Sequence, residues 1–187
     1  LLLNAKSDNV QHALLYLDLD QFKIVNDACG HSAGDQLLRQ LSQLLHKELR
    51  QSDTIARLGG DEFGILLQNC HENEAERIAL KLLQDINDFR FAWKERVFTI
   101  GASIGLVSID GESESVASIL SAADAACYAA KDKGRNRVLI YQADDIELNQ
   151  RRTQMQWVTR LKRALDEDHF VLYSQPIVPI APGSTAP

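Results

Sequence analysis

The chain has 187 residues, a 45% hydrophobic share and a formal net charge of −6. That length suits one domain with a short appendage, and the apolar share is ample for a core. The acidic balance argues against DNA as a partner, because affinity for a large polyanion comes from many basic contacts. A single nucleotide needs only two or three local cations. Cys29, Cys70 and Cys127 show no paired spacing, so neither a zinc site nor a disulfide framework is expected, and they read as buried thiols in a reducing compartment. No apolar run approaches the roughly 18 residues of a membrane span, and no signal peptide is visible. A cytoplasmic domain is therefore expected, whether or not the parent chain is membrane-anchored.

In chain order, Ala13-Leu14-Leu15-Tyr16-Leu17 predicts a buried strand, which ends in Asp18-Leu19-Asp20. Lys23 follows and is placed at the start of a short helix. Leu37, Leu38, Leu41, Leu44, Leu45 and Leu49 mark one face of a helix over about 35–49. Two strand-like runs, Thr54–Leu58 and Phe63–Leu67, flank Gly59-Gly60. This is a hairpin signal in which both glycines can take positive φ. Asp61 and Glu62 then open the returning strand. Adjacent carboxylates beside an exposed turn suit a metal better than a core. If this hairpin neighbours the first strand in one sheet, Asp18 and Asp20 converge with Asp61 and Glu62. Such hard oxygen donors suit Mg²⁺, which takes one or two carboxylates and fills its other positions with phosphate and water. Taken singly, each carboxylate reads equally well as a solvated strand end.

Ala75, Ile78, Ala79, Leu82, Leu83 and Ile86 mark a second helix, and Val116, Ile119, Leu120, Ala123 and Ala126 a third over about 115–132. Between them, Val97–Ile100 and Ala102–Val107 read as one long strand, with Phe89–Trp93 as its partner, and Val138–Tyr141 closes the unit. The expected fold class is α/β (α+β), a central mixed sheet flanked by helices. Residues 144–167 are polar and helical in pattern, with Met155, Val158, Leu161 and Leu165 as an apolar stripe. A strand-like run, Phe170–Val178, and a Pro/Gly/Ser tail end the chain.

The series Asp18-x-Asp20-x-Phe22-Lys23-x-x-Asn26-Asp27-x-x-Gly30-His31-x-x-Gly34-Asp35, then Arg57-Leu58-Gly59-Gly60-Asp61-Glu62-Phe63, then Ala129-Ala130-Lys131-x-x-Gly134-Arg135-Asn136, resembles the GGDEF domain of diguanylate cyclases. The resemblance covers roughly residues 10–142. The family's usual Asp-x-Leu-Thr-Gly-Leu-x-Asn-Arg segment does not precede the first strand. Phe170–Val178 resembles the opening of an EAL domain, the cyclic di-GMP phosphodiesterase partner of many GGDEF domains. Residues 1–142 are thus expected to form the GGDEF domain, 143–168 a linker helix, and 169–187 the start of an EAL domain.

The resemblance implies a sheet related to the nucleotidyl cyclase and polymerase palm, and condensation of two GTP into cyclic di-GMP and pyrophosphate. It implies Mg²⁺ (or Mn²⁺) held by Asp18, the Leu19 carbonyl and Asp61. Glu62 is then either a ligand or the acceptor of the 3′-hydroxyl proton. Lys23, Lys131 and Arg135 are implied to contact the triphosphate, with Gly59 and Gly60 beside the substrate, and Asn26 and Asp35 the guanine. Lys131 and Arg135 are also ordinary features of a helix C-terminus, and Asp35 a favourable acid in a first helical turn. Arg50 and Asp53 resemble the family's product-inhibition site, where Lys81 stands in the place of a further arginine, with Arg77 one turn away. Lysine cannot form a bidentate fork, so weaker product binding is expected there; an exposed charge pair is the plain alternative. Two copies of the domain are expected to be needed for turnover. The rival reading is a module that binds GTP and regulates an adjoining EAL phosphodiesterase.

Overall fold

A computed structural model describes residues 1–8, 10–142, 164–169 and 171. Two units are distinguished, Leu1–Met155 and Gln156–Pro187. The linker helix and the EAL-like strand lie almost wholly outside the described residues.

The apolar run before Asp18 becomes β1 (His12–Asp20), which is buried along nearly its whole length. Burial on both sides follows from its place at the centre of the sheet. β3 (Glu62–Leu67) pairs antiparallel on one side and β6 (Gly101–Ile109) antiparallel on the other. β2 (Thr54–Gly59) forms one edge against β3, and β7 (Arg137–Ile140) the other, parallel to β6. The order is β2-β3-β1-β6-β7. The parallel pair requires a crossover, supplied by α5 (Val116–Asp132).

Strand alternation sends the two faces of β1 to different layers. Leu15, Leu17 and Leu19 join one apolar cluster with α3 (His31–Glu48) and α4 (Glu72–Asp88). Leu14 and Tyr16 pack on the opposite face with Ile119, Ala122 and Ala123 of α5. That helix lies close because its inner face is alanine-rich and β6 offers Gly105. A Cβ at Gly105 would strike the Ala123 carbonyl and come within 2.5 Å of the Cys127 amide nitrogen.

Four sequence expectations need correction. The helix expected over 35–49 begins at His31, directly after α2 (Phe22–Cys29), with Gly30 at φ 83° between them. The long strand is two strands in different sheets. β5 (Arg96–Thr99) pairs with β4 (Arg90–Trp93), and β6 starts at Gly101 after the buried Ile100. Only Gly60 has positive φ in the hairpin, because β2 runs through Gly59 and the two-residue turn is Gly60-Asp61. Asp61 is therefore a turn residue rather than part of the returning strand. A short helix, α1 (Leu2–Asp8), also precedes β1 and buries Ala5 in the α5-side cluster.

Candidate active site

The sheet register sets Glu62 opposite Asp18, and Asp18 opposite Ser103, in one row across β3, β1 and β6. Asp61 sits in the turn beside that row, where its carbonyl accepts from the Leu19 N–H at 3.3 Å. Asp18, Leu19, Asp61 and Glu62 are thus brought to one sheet end. Like charges directly opposed across a sheet destabilise it, so the row calls for a cation. Lys131, in the last turn of α5, supplies one: its Nζ lies 2.6 Å from Asp18 Oδ2. Burial pushes the Asp18 carboxyl above its ordinary range; Lys131 opposes this, while Asp61 and Glu62 add to it. At Lys131 burial works against the charged form, but Asp18 outweighs it and the ammonium is held more firmly than usual.

Among the described residues, no three His, Cys, Asp or Glu side chains form a closed metal cage. A cage of that kind is not what Mg²⁺ demands. Asp18, Asp61 and the Leu19 carbonyl offer an open set of hard oxygens with surplus negative charge, which fits Mg²⁺ or Mn²⁺ shared with phosphate. The Leu19 side chain is in the core, at 1% exposure, so only its backbone is available.

Asp20 does not join this set. Its Oδ1 accepts from Ser103 Oγ at 2.8 Å, and its Oδ2 from the Asn136 N–H at 2.9 Å. Lys23 is exposed in the first turn of α2, and Arg135 is exposed in the turn after α5 with φ 60°. Gly59 and Gly60 have open space where a Cβ would stand, so a ligand can approach that backbone closely.

Asp35 lines a surface cavity of about 500 Å³, with Leu38, Arg39, Ser42, Gln43, Arg57 and Phe63. Asn26 does not line it. Its Oδ1 is buried without a hydrogen-bond partner and lies against Gly34, where a Cβ would collide with it.

Arg50, Asp53, Arg77 and Lys81 gather around a second cavity of ≈ 420 Å³, with Glu48 and Ile78. Arg50 and Asp53 are not a side-chain ion pair. Asp53 accepts from the backbone N–H groups of Arg50 and Gln68 at 3.0 and 3.2 Å. The Arg50 guanidinium instead meets Glu74 Oε1 at 2.5 Å, and Arg77 stands 3.8 Å from the same oxygen. Lys81 is held by Asp85 at 2.5 Å.

The family model of the diguanylate cyclase GGDEF domain matches residues 1–137. The chain belongs to the GGDEF domain family of diguanylate cyclases. This GGDEF chain is 41% identical over 187 residues to the probable diguanylate cyclase DgcE of Escherichia coli K12, covering 100% of itself and 16% of that protein. It therefore spans about a sixth of that relative's length. The GGDEF domain of YfiN from Pseudomonas aeruginosa superposes with a TM-score of 0.72 at 32% identity, over 76% of this chain and 89% of that one. The GGDEF domain of DgcB from Caulobacter crescentus, crystallised with cyclic di-GMP, gives 0.70 at 27%, over 74% and 82%. Among the described residues of the GGDEF chain, no helix is long and apolar enough to cross a membrane.

Sequence reasoning missed several residues near the site. Tyr16, on the α5 side of β1, hydrogen-bonds Glu62, and its hydroxyl is pushed well above the ordinary tyrosine range, first by burial and then by Glu62 and Asp124. Asp124 is half-buried on α5, and its carboxyl is raised by burial and by Glu62. It lies two helical turns before Lys131 in the sequence, a spacing that could have flagged it. Arg39 beside Asp35, and Glu74 against Arg50, carried no local signal; Arg57 was part of the motif, but its place in the Asp35 cavity was not legible.

Proposed function

We propose that this domain condenses two GTP into cyclic di-GMP and two pyrophosphates. The observation carrying this reading is the Glu62–Asp18 row with Lys131 Nζ 2.6 Å from Asp18 Oδ2. In each half of the reaction, a 3′-oxygen bonds to the α-phosphorus of the other GTP. The bond from that phosphorus to the bridging oxygen of the β-phosphate breaks, and the hydroxyl proton departs. Mg²⁺ or Mn²⁺ held by Asp18, Asp61 and the Leu19 carbonyl would neutralise charge at the α-phosphate and the attacking oxygen.

The chain's own groups do the rest. Lys131, Arg135 and Lys23 bind and orient the triphosphate, with the Gly59-Gly60 backbone close beside it. Glu62, steadied by Tyr16, either accepts the hydroxyl proton or completes the metal set. Asp35 accepts from the guanine N1–H and 2-amino group, and Asn26 pairs at the same base. One domain holds one GTP, so a two-fold pair of domains supplies both halves of the reaction. Product binds at the Arg50–Asp53–Lys81 cavity and lowers activity. Three cations lining one cavity support that role, and so does the cyclic di-GMP complex of DgcB.

The test is incubation of the 187-residue chain with GTP and Mg²⁺, followed by chromatographic analysis of the nucleotides. Cyclic di-GMP is expected from the parent and none from Asp61→Ala. GTP binding without product at any protein concentration would leave the regulatory module for an EAL phosphodiesterase as the better reading.

A further inference from the structure

Gly134, Arg135 and Asn136 have φ values of 107°, 60° and 48°. Left-handed backbone is costly for arginine and less so for asparagine, and two such residues in succession after a glycine persist only where the surroundings hold them. Asp20 does this from 116 residues away. One carboxylate oxygen accepts the Asn136 N–H at 2.9 Å, while the other is occupied by Ser103 Oγ at 2.8 Å. Asp20 is 9% exposed and Ser103 fully buried, so water competes weakly for these bonds. Gly101 leaves the space for the turn to close: a Cβ there would lie 3.1 Å from Asn136 Oδ1 and 3.2 Å from Asp20 Oδ2. The other end of the turn is tied to α5 by the Arg135 N–H, which donates to the Ala130 carbonyl at 3.0 Å.

We infer that Asp20 is a positioning residue for triphosphate binding: it fixes the turn that presents Arg135, and it is not a metal ligand. This rests on the reading of Arg135 as a triphosphate contact. The two carboxylates of β1 then have separate tasks. Asp18 anchors Lys131 through an ion pair, and Asp20 anchors the backbone that carries Arg135. Fixing that backbone in advance removes an ordering cost that binding would otherwise meet.

The test is calorimetry of a non-hydrolysable GTP analogue with Mg²⁺, on the parent, Asp20→Asn, Arg135→Ala and the double variant, beside KM and kcat for GTP. Asparagine keeps the shape of Asp20 but turns an N–H₂ group towards one of its two donors. Asp20→Asn is expected to weaken analogue binding about fivefold to tenfold, the worth of about one hydrogen bond. KM should rise with it, kcat should change little, and the Mg²⁺ requirement should not move. The double variant should bind no more weakly than Arg135→Ala, since groups acting through one contact do not add. Fully additive losses would overturn the inference while leaving the phosphate reading intact, and so would a raised Mg²⁺ requirement in Asp20→Asn. Unchanged binding in Arg135→Ala would overturn both. Gly101→Ala keeps the carboxylate and crowds the same turn. It should weaken binding with the same dependence on Arg135, and it serves if Asp20→Asn does not fold.

Discussion

Replacing Lys131 by methionine keeps the aliphatic stem and removes the charge. The Asp18 side chain, 10% exposed, then loses the ammonium 2.6 Å from its Oδ2 while Glu62 stays opposite it. Unit charges about 4 Å apart attract by about 4 kcal/mol at an effective dielectric of about 20. The Lys131 side chain is 30% exposed, and solvent screening reduces the loss to about 2 kcal/mol, between the values for surface and buried pairs. For a domain of this size that is a fall in Tm of about 4–8 °C. Burial already raises the Asp18 carboxyl against the pull of Lys131, so removing Lys131 raises it further. The deficit is full near neutral pH, where the folded parent keeps Asp18 ionised, and it shrinks in acid as Asp18 is protonated in both proteins. Urea unfolding followed by circular dichroism, with EDTA at pH 7.5 and at pH 4, measures both quantities. Adding Mg²⁺ at pH 7.5 should narrow the gap, since a cation at the acidic row replaces the missing charge. Equal stability of variant and parent at pH 7.5, or a gap that widens in acid, would refute this account of the site.

The Glu74→Gln variant should bind cyclic di-GMP about threefold more tightly, because a ligand at Arg50 must displace an exposed and therefore weak ion pair. Arg50→Ala should abolish that binding, and calorimetry that finds Glu74→Gln weaker than the parent would be incompatible with Glu74 as a competitor. Gly105→Ala should destabilise the fold by about 1–3 kcal/mol or more through overpacking, since the new Cβ meets backbone atoms of α5; an unchanged urea midpoint would be the contrary result. GTP should bind far better than ATP, each hydrogen-bonding group left unpaired by adenine costing roughly 1–3 kcal/mol, and equal affinities would remove Asp35 and Asn26 as base readers. The rate per molecule should rise with protein concentration until dimers saturate. A constant rate in solutions that scatter light as monomers would rule out the two-copy arrangement.

Local pattern was enough for much of this protein. The apolar run before Asp18 pointed to a buried strand, and the leucine spacing after Gly34 to a helix face, and both formed. The chain of motif residues from Asp18 to Asn136 identified the family and the chemistry to look for. The strand and helix faces repeat with the period of a single element, so neighbouring residues carry that information. Other features depend on partners far away in the chain. The break at Ile100 and Gly101 was hidden because both sides of it are β-like, and only the pairing partners separate the two strands. For Arg50 and Asp53 the spacing left open, beside the resemblance to a product-inhibition site, a plain charge pair between the two, whereas the fold gives Arg50 to Glu74 and Asp53 to backbone amides. Asp18 and Asp20 look equivalent in the sequence, and both point to the α5 side of β1. Their surroundings make them different: Lys131 reaches Asp18 from the end of α5, while Ser103 and Asn136 occupy Asp20. Strand register and helix placement bring those groups together over long sequence separations, and neither is encoded in the few residues around β1.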